Sequence, residues 1–191
     1  MITDFDKAIF TYLHSWAGVS SFIDGVVVFC AVYLLYVMIA AVILWTVFAV
    51  IAKESDFRKK TILLFWSAVA ASFISRLVIA EPLRILLARS RPYEVQALSH
   101  QLVTHVMGRS FPSGHATLAF AIAMAVYFYH RKAGVVFFLA AYAIGVSRVI
   151  AGVHWPSDIV GGIAVGITGA WATHRLTAKL RKIHLVFTDG F

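Results

Sequence analysis

The chain has 191 residues, of which 61% are hydrophobic, and its mean hydropathy is +0.84. Soluble domains are only about half apolar, so this composition excludes an ordinary water-soluble enzyme and predicts one integral-membrane domain over residues 1–191. The net charge is +8, but the basic residues cluster at the ends of apolar segments, a pattern that disfavours nucleic-acid binding and favours lipid headgroups or anionic substrates as partners.

The predicted elements begin with an amphipathic helix from Asp4 to Trp16, which carries apolar residues at helical spacing beside charged ones. We expect this helix to lie on the membrane surface. Long apolar segments follow it, over residues 25–52, 61–80, 113–129, 133–153 and 159–173. Because a bilayer core takes about 20 apolar residues as a helix, the predicted fold class is all-α, a polytopic membrane bundle of about five transmembrane helices plus the N-terminal interfacial helix.

The basic residues predict which end of this bundle faces the cytoplasm. Clusters at residues 58–60, at residues 131–132 and in the tail after residue 174 fall on one side of the membrane, which the positive-inside tendency makes cytoplasmic. The opposite side then carries Arg84, Arg89, Arg91, Arg109 and Arg148. Positive charge should be depleted on that side, so we interpret these arginines as residues that bind a ligand.

The first motif lies in the stretch LRILLARSRP, where Arg84 stands seven residues before Arg91. That spacing is about two helical turns, so both guanidinium groups point the same way if the stretch is helical. Pro82 and Pro92 bracket a short segment that we expect along the membrane surface. The alternative is that these arginines reach lipid phosphates, and for Arg84 or Arg89 taken alone we favour it.

The second motif is GRSFPSGHATLAF, in which Ser113 and Gly114 precede a titratable residue, His115, at the start of an apolar helix. Free backbone N–H groups and the positive end of the helix dipole meet at such a start, so it holds a phosphate readily. His115 is then placed to pass a proton to a leaving oxygen. The alternative is plain N-capping by Ser113, with His115 as an interfacial polar residue.

The third motif is SRVIAGVHWPSD, in which Arg148 is followed by His154 and, four residues later, by Asp158. Pro156 suits the first position of a helix, so Asp158 falls in the first turn. A carboxylate there fixes the histidine tautomer and leaves the other ring nitrogen free to attack. The alternative makes Asp158 a helix-capping acid and His154 an aromatic-belt residue beside Trp155.

All three motifs reach the same membrane face in the predicted topology, which the capping alternatives do not require. An anion surrounded by arginines and a helix N-terminus, with two histidines beside it, describes a phosphoryl-transfer site. Arginine suits this work because its planar fork pairs bidentately with phosphate oxygens. The combination therefore favours catalysis over capping.

Together the motifs resemble the signature of the type 2 phosphatidic acid phosphatases, in the order Arg84-x6-Arg91-Pro92, Pro112-Ser113-Gly114-His115 and Ser147-Arg148-x5-His154-x3-Asp158. The core of the resemblance runs from residue 84 to residue 158. It implies that His154 is the nucleophile that forms a phosphohistidine, that Asp158 orients it and that His115 is the general acid. The phosphate-binding residues that it implies are Arg84, Arg91, Ser113, Gly114 and Arg148. It also implies no metal and no other cofactor.

One position departs from the family pattern, which has lysine where this chain has Arg84. Charge is retained but geometry is not, because lysine is a compact point charge and arginine a broad fork. The resemblance therefore implies a positive charge at this position, without the geometry of lysine.

The hydropathy points to the integral-membrane lipid phosphatases of this family, and the compact size and the stretch from residue 89 to residue 117 resemble its bacterial undecaprenyl-diphosphate phosphatases. That resemblance implies release of the terminal phosphate from an isoprenyl diphosphate, at the extracytoplasmic side of the cytoplasmic membrane, for carrier-lipid recycling in cell-wall synthesis. Phosphatidylglycerophosphate or phosphatidate is the alternative substrate. A lipid transporter or scaffold is the alternative of another class, in which Arg76 belongs to a polar pathway; we expect Arg76 instead to pair with Glu81. The sequence leaves the oligomeric state open.

Overall fold

The computed structural model describes residues 2–52, 54–98, 100–103 and 108–188, with side chains described as far as residue 180. Within these ranges the chain forms α-helices joined by loops, and two π-helical segments interrupt long helices. The elements are α1 (Asp4–His14), α2 (Ser21–Val28), π1 (Phe29–Tyr33), α3 (Leu34–Ile51), α4 (Ser55–Phe73), π2 (Ile74–Ala80), α5 (Glu81–Leu87), α6 (Pro92–Val95), α7 (Gly114–Tyr129), α8 (Arg131–Ile150) and α9 (Pro156–Thr188). The predicted all-α class is confirmed.

Three helical stretches of the described chain are long and apolar enough to cross a bilayer, Ser21–Ile51, Ser55–Val95 and Arg131–Ile150. The helix α7 is apolar but has only 16 residues, and α9 runs for 33 residues. These helices occupy the positions of the predicted spans. The predicted multi-pass membrane bundle is therefore confirmed, and the count of about five crossings stays a prediction.

The stretch around Arg84 and Arg91 differs from the sequence prediction. The helix does not stop at residue 80 but continues through π2 into α5, because the wider π turn accommodates Pro82, which has no N–H and whose ring clashes in a regular helix. The helix then ends at Ala88, which is left-handed with φ 40°, and Arg91 is extended. The two arginines therefore do not share one continuous helix.

The centre of the bundle is α7, which packs against α4, α8 and α9. Its contact with α9 is close because Gly162 and Gly166 face it. A Cβ atom at Gly162 would lie 2.9 Å from the carbonyl oxygen of Ser113, and one at Gly166 would lie 2.5 Å from that of Thr117. Glycines four residues apart allow helix backbones to approach in this way. As a result, the starts of α7 and α9, which carry the second and third motifs, lie side by side.

The N-terminal helix α1 packs against α8 and α9. Its apolar side buries Phe10, which is 1% exposed and whose ring centroid lies 5.1 Å from that of Trp155. Its start is capped by Thr3, whose side chain accepts a hydrogen bond from the N–H of Asp6. The helix therefore covers part of the end of the bundle where the motifs meet.

Candidate active site

One cavity of about 470 Å³ gathers most of the predicted site residues. Its lining includes Arg84, Arg91, Gly114, His115, Arg148 and His154, together with Arg76. They come from the start of α7, the ends of α5 and α8, the π2 segment, the extended residue before α6 and the loop before α9, and they are up to 78 positions apart in the chain. The two other predicted residues, Ser113 and Asp158, are buried; Ser113 precedes Gly114 in the chain, and Asp158 contacts His154. The structure thus brings the three motifs to a single place.

His154 lies in the loop between α8 and α9 and is 2% exposed. Its Nδ1 is 3.4 Å from Oδ2 of Asp158, which makes Nδ1 the donor to the carboxylate and leaves Nε2 as the other ring nitrogen. Burial lowers the pKa of His154 below its ordinary value of 6.5; the hydrogen bond to Asp158 opposes this shift, and the charges of Arg148 and Arg91 add to it. The imidazole is therefore neutral near pH 7, as a nucleophile requires.

Asp158 is fully buried and accepts hydrogen bonds from several donors. Its Oδ2 accepts the backbone N–H of Trp155 at 2.8 Å and the hydroxyl of Ser110, while its Oδ1 accepts Arg89 at 2.7 Å. The bond from Trp155 is a capping contact, so the capping interpretation of Asp158 is correct in part and coexists with the contact to His154. The aromatic-belt interpretation of His154 and Trp155 is wrong, because Trp155 is only 1% exposed.

Arg91 and Arg148 bring buried positive charge to the cavity. Arg91 is 5% exposed and donates from Nε to the carbonyl of Gly108 at 2.9 Å, and Arg148 is 1% exposed and donates to the carbonyl of Ala31 at 3.2 Å. Carbonyl acceptors hold the guanidinium planes in place and leave their positive charge intact. Such preorganised charge stabilises an anion strongly, because it does not have to be reoriented when the anion binds.

The start of α7 is not capped as the alternative interpretation expects. The side chain of Ser113 makes no capping hydrogen bond, and its hydroxyl is buried without a partner among the described residues. The backbone N–H of Ser113 donates to the carbonyl of Asp158 at 3.0 Å, so this N–H is not available to a phosphate. The hydroxyl of Ser113 therefore stays a candidate ligand for an anion, and capping by Ser113 is wrong.

Arg84 contacts protein groups of its own helix and of the following loop. It donates to the carbonyl of Arg109 at 2.6 Å, and its Nη1 lies 3.7 Å from Oε2 of Glu81. The same carboxylate oxygen of Glu81 also pairs with Arg76, which is the ion pair that the sequence predicts. Arg84 thus faces the cavity. The alternative, in which Arg84 reaches lipid phosphates, would require it to face away from the cavity.

Sequence reasoning missed a second group of polar residues, which lies behind Asp158. Arg89 does not extend to lipid: its side chain is 9% exposed, and it pairs with Asp158 and, at 2.5 Å, with Asp6. The carboxylate of Asp6 also accepts the N–H of Ser157 at 2.9 Å and its hydroxyl at 2.7 Å. Because Asp6 and Ser157 are 151 positions apart, no local sequence pattern links them. The one available signal is that Arg89 belongs to the excess of arginines on this side.

Burial alone would raise the pKa of Asp6, but its hydrogen bonds from Ser157 and Arg89 outweigh burial and lower the pKa. Asp6 is therefore ionised at neutral pH and neutralises part of the charge of Arg89. Arg89 thus holds two carboxylates, one from the N-terminal helix and one from the predicted site.

Among the residues that the structure describes, no group of three or more histidine, cysteine, aspartate or glutamate side chains is placed to hold a metal ion. The metal-free mechanism implied by the sequence resemblance stays a prediction, and chelation tests it.

Comparison with known proteins gives concordant matches. Residues 65–182 match the PAP2 superfamily. The chain is 26% identical to "Bacitracin transport permease protein BcrC" of Bacillus licheniformis over 92% of this chain and 82% of that protein, and 28% identical to "Undecaprenyl-diphosphatase BcrC" of Bacillus subtilis over 91% and 84%.

Two solved structures share the fold. Aquifex aeolicus LpxE superposes with a TM-score of 0.73 at 24% identity, over 91% of this chain and 96% of that one. The transmembrane PAP2-type phosphatidylglycerolphosphate phosphatase from Bacillus subtilis superposes with a TM-score of 0.63 at 18% identity, over 93% and 88%. These likenesses concern the course of the helices.

Proposed function

Because this chain belongs to the PAP2 superfamily and its homologues there are phosphatases, we propose that it hydrolyses undecaprenyl diphosphate to undecaprenyl phosphate through a phosphohistidine on His154. The reaction takes place at the extracytoplasmic side of the cytoplasmic membrane and recycles a carrier lipid for cell-wall synthesis. The chain is a multi-pass membrane protein, and it is a hydrolase that acts on phosphoric esters or anhydrides.

The observation that carries this proposal is that a cationic cavity adjoins an apolar groove. The groove has a volume of about 300 Å³ and is lined by Ile39, Val42, Ile43, Phe65, Ala68, Val69, Ser72, Leu118 and Ile122. Two of these residues, Ile39 and Leu118, also line the cavity that holds the histidines and arginines. A substrate with a phosphorylated headgroup and a long hydrocarbon chain fits both spaces at once.

The first chemical step is phosphoryl transfer to the protein. Nε2 of His154 attacks the terminal phosphorus atom, the bond from that phosphorus to the bridging oxygen breaks, and its electron pair goes to the lipid phosphate. His115 gives a proton to this leaving oxygen. Arg91 and Arg148 stabilise the charge on the transferred group, and Asp158 stabilises the imidazolium that forms on His154.

The second step returns the enzyme to its starting state. A water molecule attacks phosphorus in the phosphohistidine, and His115, now neutral, takes a proton from it. The bond between phosphorus and Nε2 breaks, inorganic phosphate leaves, and His154 becomes a neutral imidazole again. No redox agent or co-reactant other than water is needed.

The relatives support a diphosphate lipid as substrate without excluding other phospholipids. One relative carries the name undecaprenyl-diphosphatase and matches nearly the whole chain. Phosphatidylglycerophosphate and phosphatidate stay the alternative substrates, since a solved structure with this fold is a phosphatidylglycerolphosphate phosphatase. A transporter or scaffold without activity is not favoured, although one relative is named a transport permease.

The test is phosphate release by the detergent-purified protein from undecaprenyl diphosphate, phosphatidylglycerophosphate and phosphatidate. We expect the highest kcat/KM for undecaprenyl diphosphate, no loss with EDTA, and no turnover by His154→Ala. The matched control is His100→Ala, since His100 is an exposed histidine outside the cavity. A preference for either phospholipid would overturn the substrate assignment, and recovery of a chelated enzyme by zinc or magnesium would overturn the metal-free mechanism.

A further inference from the structure

Arg76 is the one charged residue in the apolar stretch between residues 61 and 80. A charge in a membrane-spanning helix is costly and is retained where it faces a partner or a polar cavity. Arg76 lies in π2, and π-helical segments occur frequently at functional sites because the extra residue redirects side chains. Its side chain, 26% exposed, lines the same cavity as His115 and Arg84. The family signature motifs do not include this residue.

The guanidinium of Arg76 lies against the start of α7. A Cβ atom built on Gly114 would be 3.0 Å from Nε of Arg76, so this glycine lets the guanidinium approach the helix N-terminus. Oε2 of Glu81 pairs with Arg76 and lies 3.7 Å from Arg84. One anionic oxygen thus already sits between these two guanidinium groups, which indicates that the pair is spaced to share an anion.

Arg76 also marks the junction of the cavity and the apolar groove. Ser72, four residues earlier on the same helical stretch, lines the groove. Leu118, three residues after His115 on α7, lines both spaces. In a lipid diphosphate, the phosphate that is bonded to the hydrocarbon chain has to lie at this junction, while the terminal phosphate extends further towards His154.

We propose that Arg76, together with Arg84, binds the lipid-linked phosphate and makes the enzyme selective for diphosphates over monophosphates. This inference rests on the proposed function and deepens it. Arg76 stabilises the negative charge that develops on the leaving phosphate when the bridging bond breaks, next to the proton that His115 donates. Glu81 holds the two guanidinium groups at a common separation and gives way to the substrate oxygen.

The test uses the purified enzyme with p-nitrophenyl phosphate as reporter substrate and two inhibitors without a lipid, inorganic phosphate and methylenediphosphonate. In Arg76→Gln, we expect the inhibition constant of methylenediphosphonate to rise about ten- to a hundredfold, the effect of losing a charge-assisted hydrogen bond, and that of phosphate to rise much less. Arg76→Lys retains the charge and should recover part of the loss. Because both inhibitors act on the same folded molecules, the ratio of the two constants does not depend on protein yield.

Two controls separate this role from a structural one. Arg58→Gln changes an exposed arginine at the other end of α4 and should leave both constants unchanged. Glu81→Gln removes the other partner of the ion pair and should not raise the inhibition constant of methylenediphosphonate relative to that of phosphate. If Glu81→Gln raised this ratio as Arg76→Gln does, the ion pair would have a structural role and the inference would be overturned. An equal rise of both constants in Arg76→Gln would also overturn it. Failure of the wild type to hydrolyse undecaprenyl diphosphate would instead overturn the proposed function and leave this measurement intact.

Discussion

At the scale of single residues, the proposed mechanism depends on a histidine that its surroundings keep neutral. His154 is buried beside one carboxylate, Asp158, and near the guanidinium groups of Arg91 and Arg148. Burial and the two positive charges favour the neutral imidazole, and the carboxylate stabilises the cation once it forms. In the proposed mechanism, the same arrangement supplies a free lone pair before the reaction and a stable imidazolium in the intermediate.

The lowered pKa of His154 gives a pH dependence of known sign. Above 6.5 the imidazole is neutral in the folded and in the unfolded chain. As the pH falls below 6.5, His154 becomes protonated in the unfolded chain but stays neutral in the folded chain. The free energy of unfolding therefore decreases. We expect the melting temperature of the wild type to fall below pH 6.5 more steeply than that of His154→Gln in detergent. Parallel curves would contradict the lowered pKa.

The general-acid role of His115 predicts a dependence on the leaving group. Protonation matters most where the leaving oxygen is basic, so His115→Ala should reduce kcat/KM by about a hundredfold or more for a poor leaving group and much less for p-nitrophenolate. The measurement is kcat/KM across a series of aryl and alkyl phosphates. An equal loss for every member would remove His115 from this role.

At the scale of elements, the N-terminal helix is connected to the region that carries His154 and Asp158 by ion pairs as well as by packing. Asp6 of α1 and Asp158 of α9 share Arg89, which comes from the segment after α5. Ser157 adds two hydrogen bonds to Asp6. Arg89 thus connects α1 to the carboxylate that contacts His154, so we expect a change in α1 to affect the proposed nucleophile.

The substitution Asp6→Asn tests this connection. It removes the negative charge that faces Arg89, so the free energy of unfolding should fall by about 1–3 kcal/mol, the cost of a buried group that loses a charged hydrogen bond. Activity should fall as well, because Arg89 then shifts towards Asp158. The matched control is Asp4→Asn on the same helix, since Asp4 is fully exposed in its pair with Lys7. Equal effects of both substitutions would show that Asp6 has no special role.

The glycine contact between α7 and α9 gives a second prediction at this scale. Gly166→Ala places a Cβ atom 2.5 Å from the carbonyl oxygen of Thr117, so the helices have to separate, and stability should fall by about 1–3 kcal/mol. Gly25→Ala is the control, because a Cβ atom there has nothing within 4 Å. It should stabilise the helix by up to about 1 kcal/mol, since alanine favours helices over glycine. Thermal unfolding in detergent measures both; an unchanged melting temperature for Gly166→Ala would contradict the close contact.

At the scale of the whole molecule, the two ends of the bundle have different chemistry. One end carries the cavity, with His115, His154 and the arginines around them. Near the other end lie Lys60, Arg131 and Lys132 in the vicinity of Trp45 and His130. The second set is the usual pattern of a cytoplasmic surface, which places the cavity on the extracytoplasmic side in our proposal.

Cysteine labelling in intact cells tests this orientation. In a Cys30→Ala background, Gln96→Cys should react with a membrane-impermeant maleimide, because Gln96 is exposed after α6 at the cavity end. Ser55→Cys, exposed at the start of α4, should react only after lysis. The reverse result would place the site in the cytoplasm and remove the carrier-recycling role.

The sequence alone determined the fold class, the positions of the long helices and the residues of the three motifs. These follow from local physics, because hydropathy sets which segments enter the bilayer, and because residues such as Pro156 and Asp158 determine where a helix starts. The ion pair of Arg76 with Glu81 was also predictable, since its members are five residues apart.

The tertiary structure alone decided how the motifs meet and what holds them. The spacing of Arg84 and Arg91 suggested one continuous helix. In the structure, a π segment precedes Arg84 and the left-handed Ala88 ends the helix, and both arginines line one cavity. Arg89 turns inward to Asp6 because a carboxylate from the far end of the chain lies there. A buried charge takes the partner that the fold places beside it, and a partner more than 80 positions away leaves no local pattern to read.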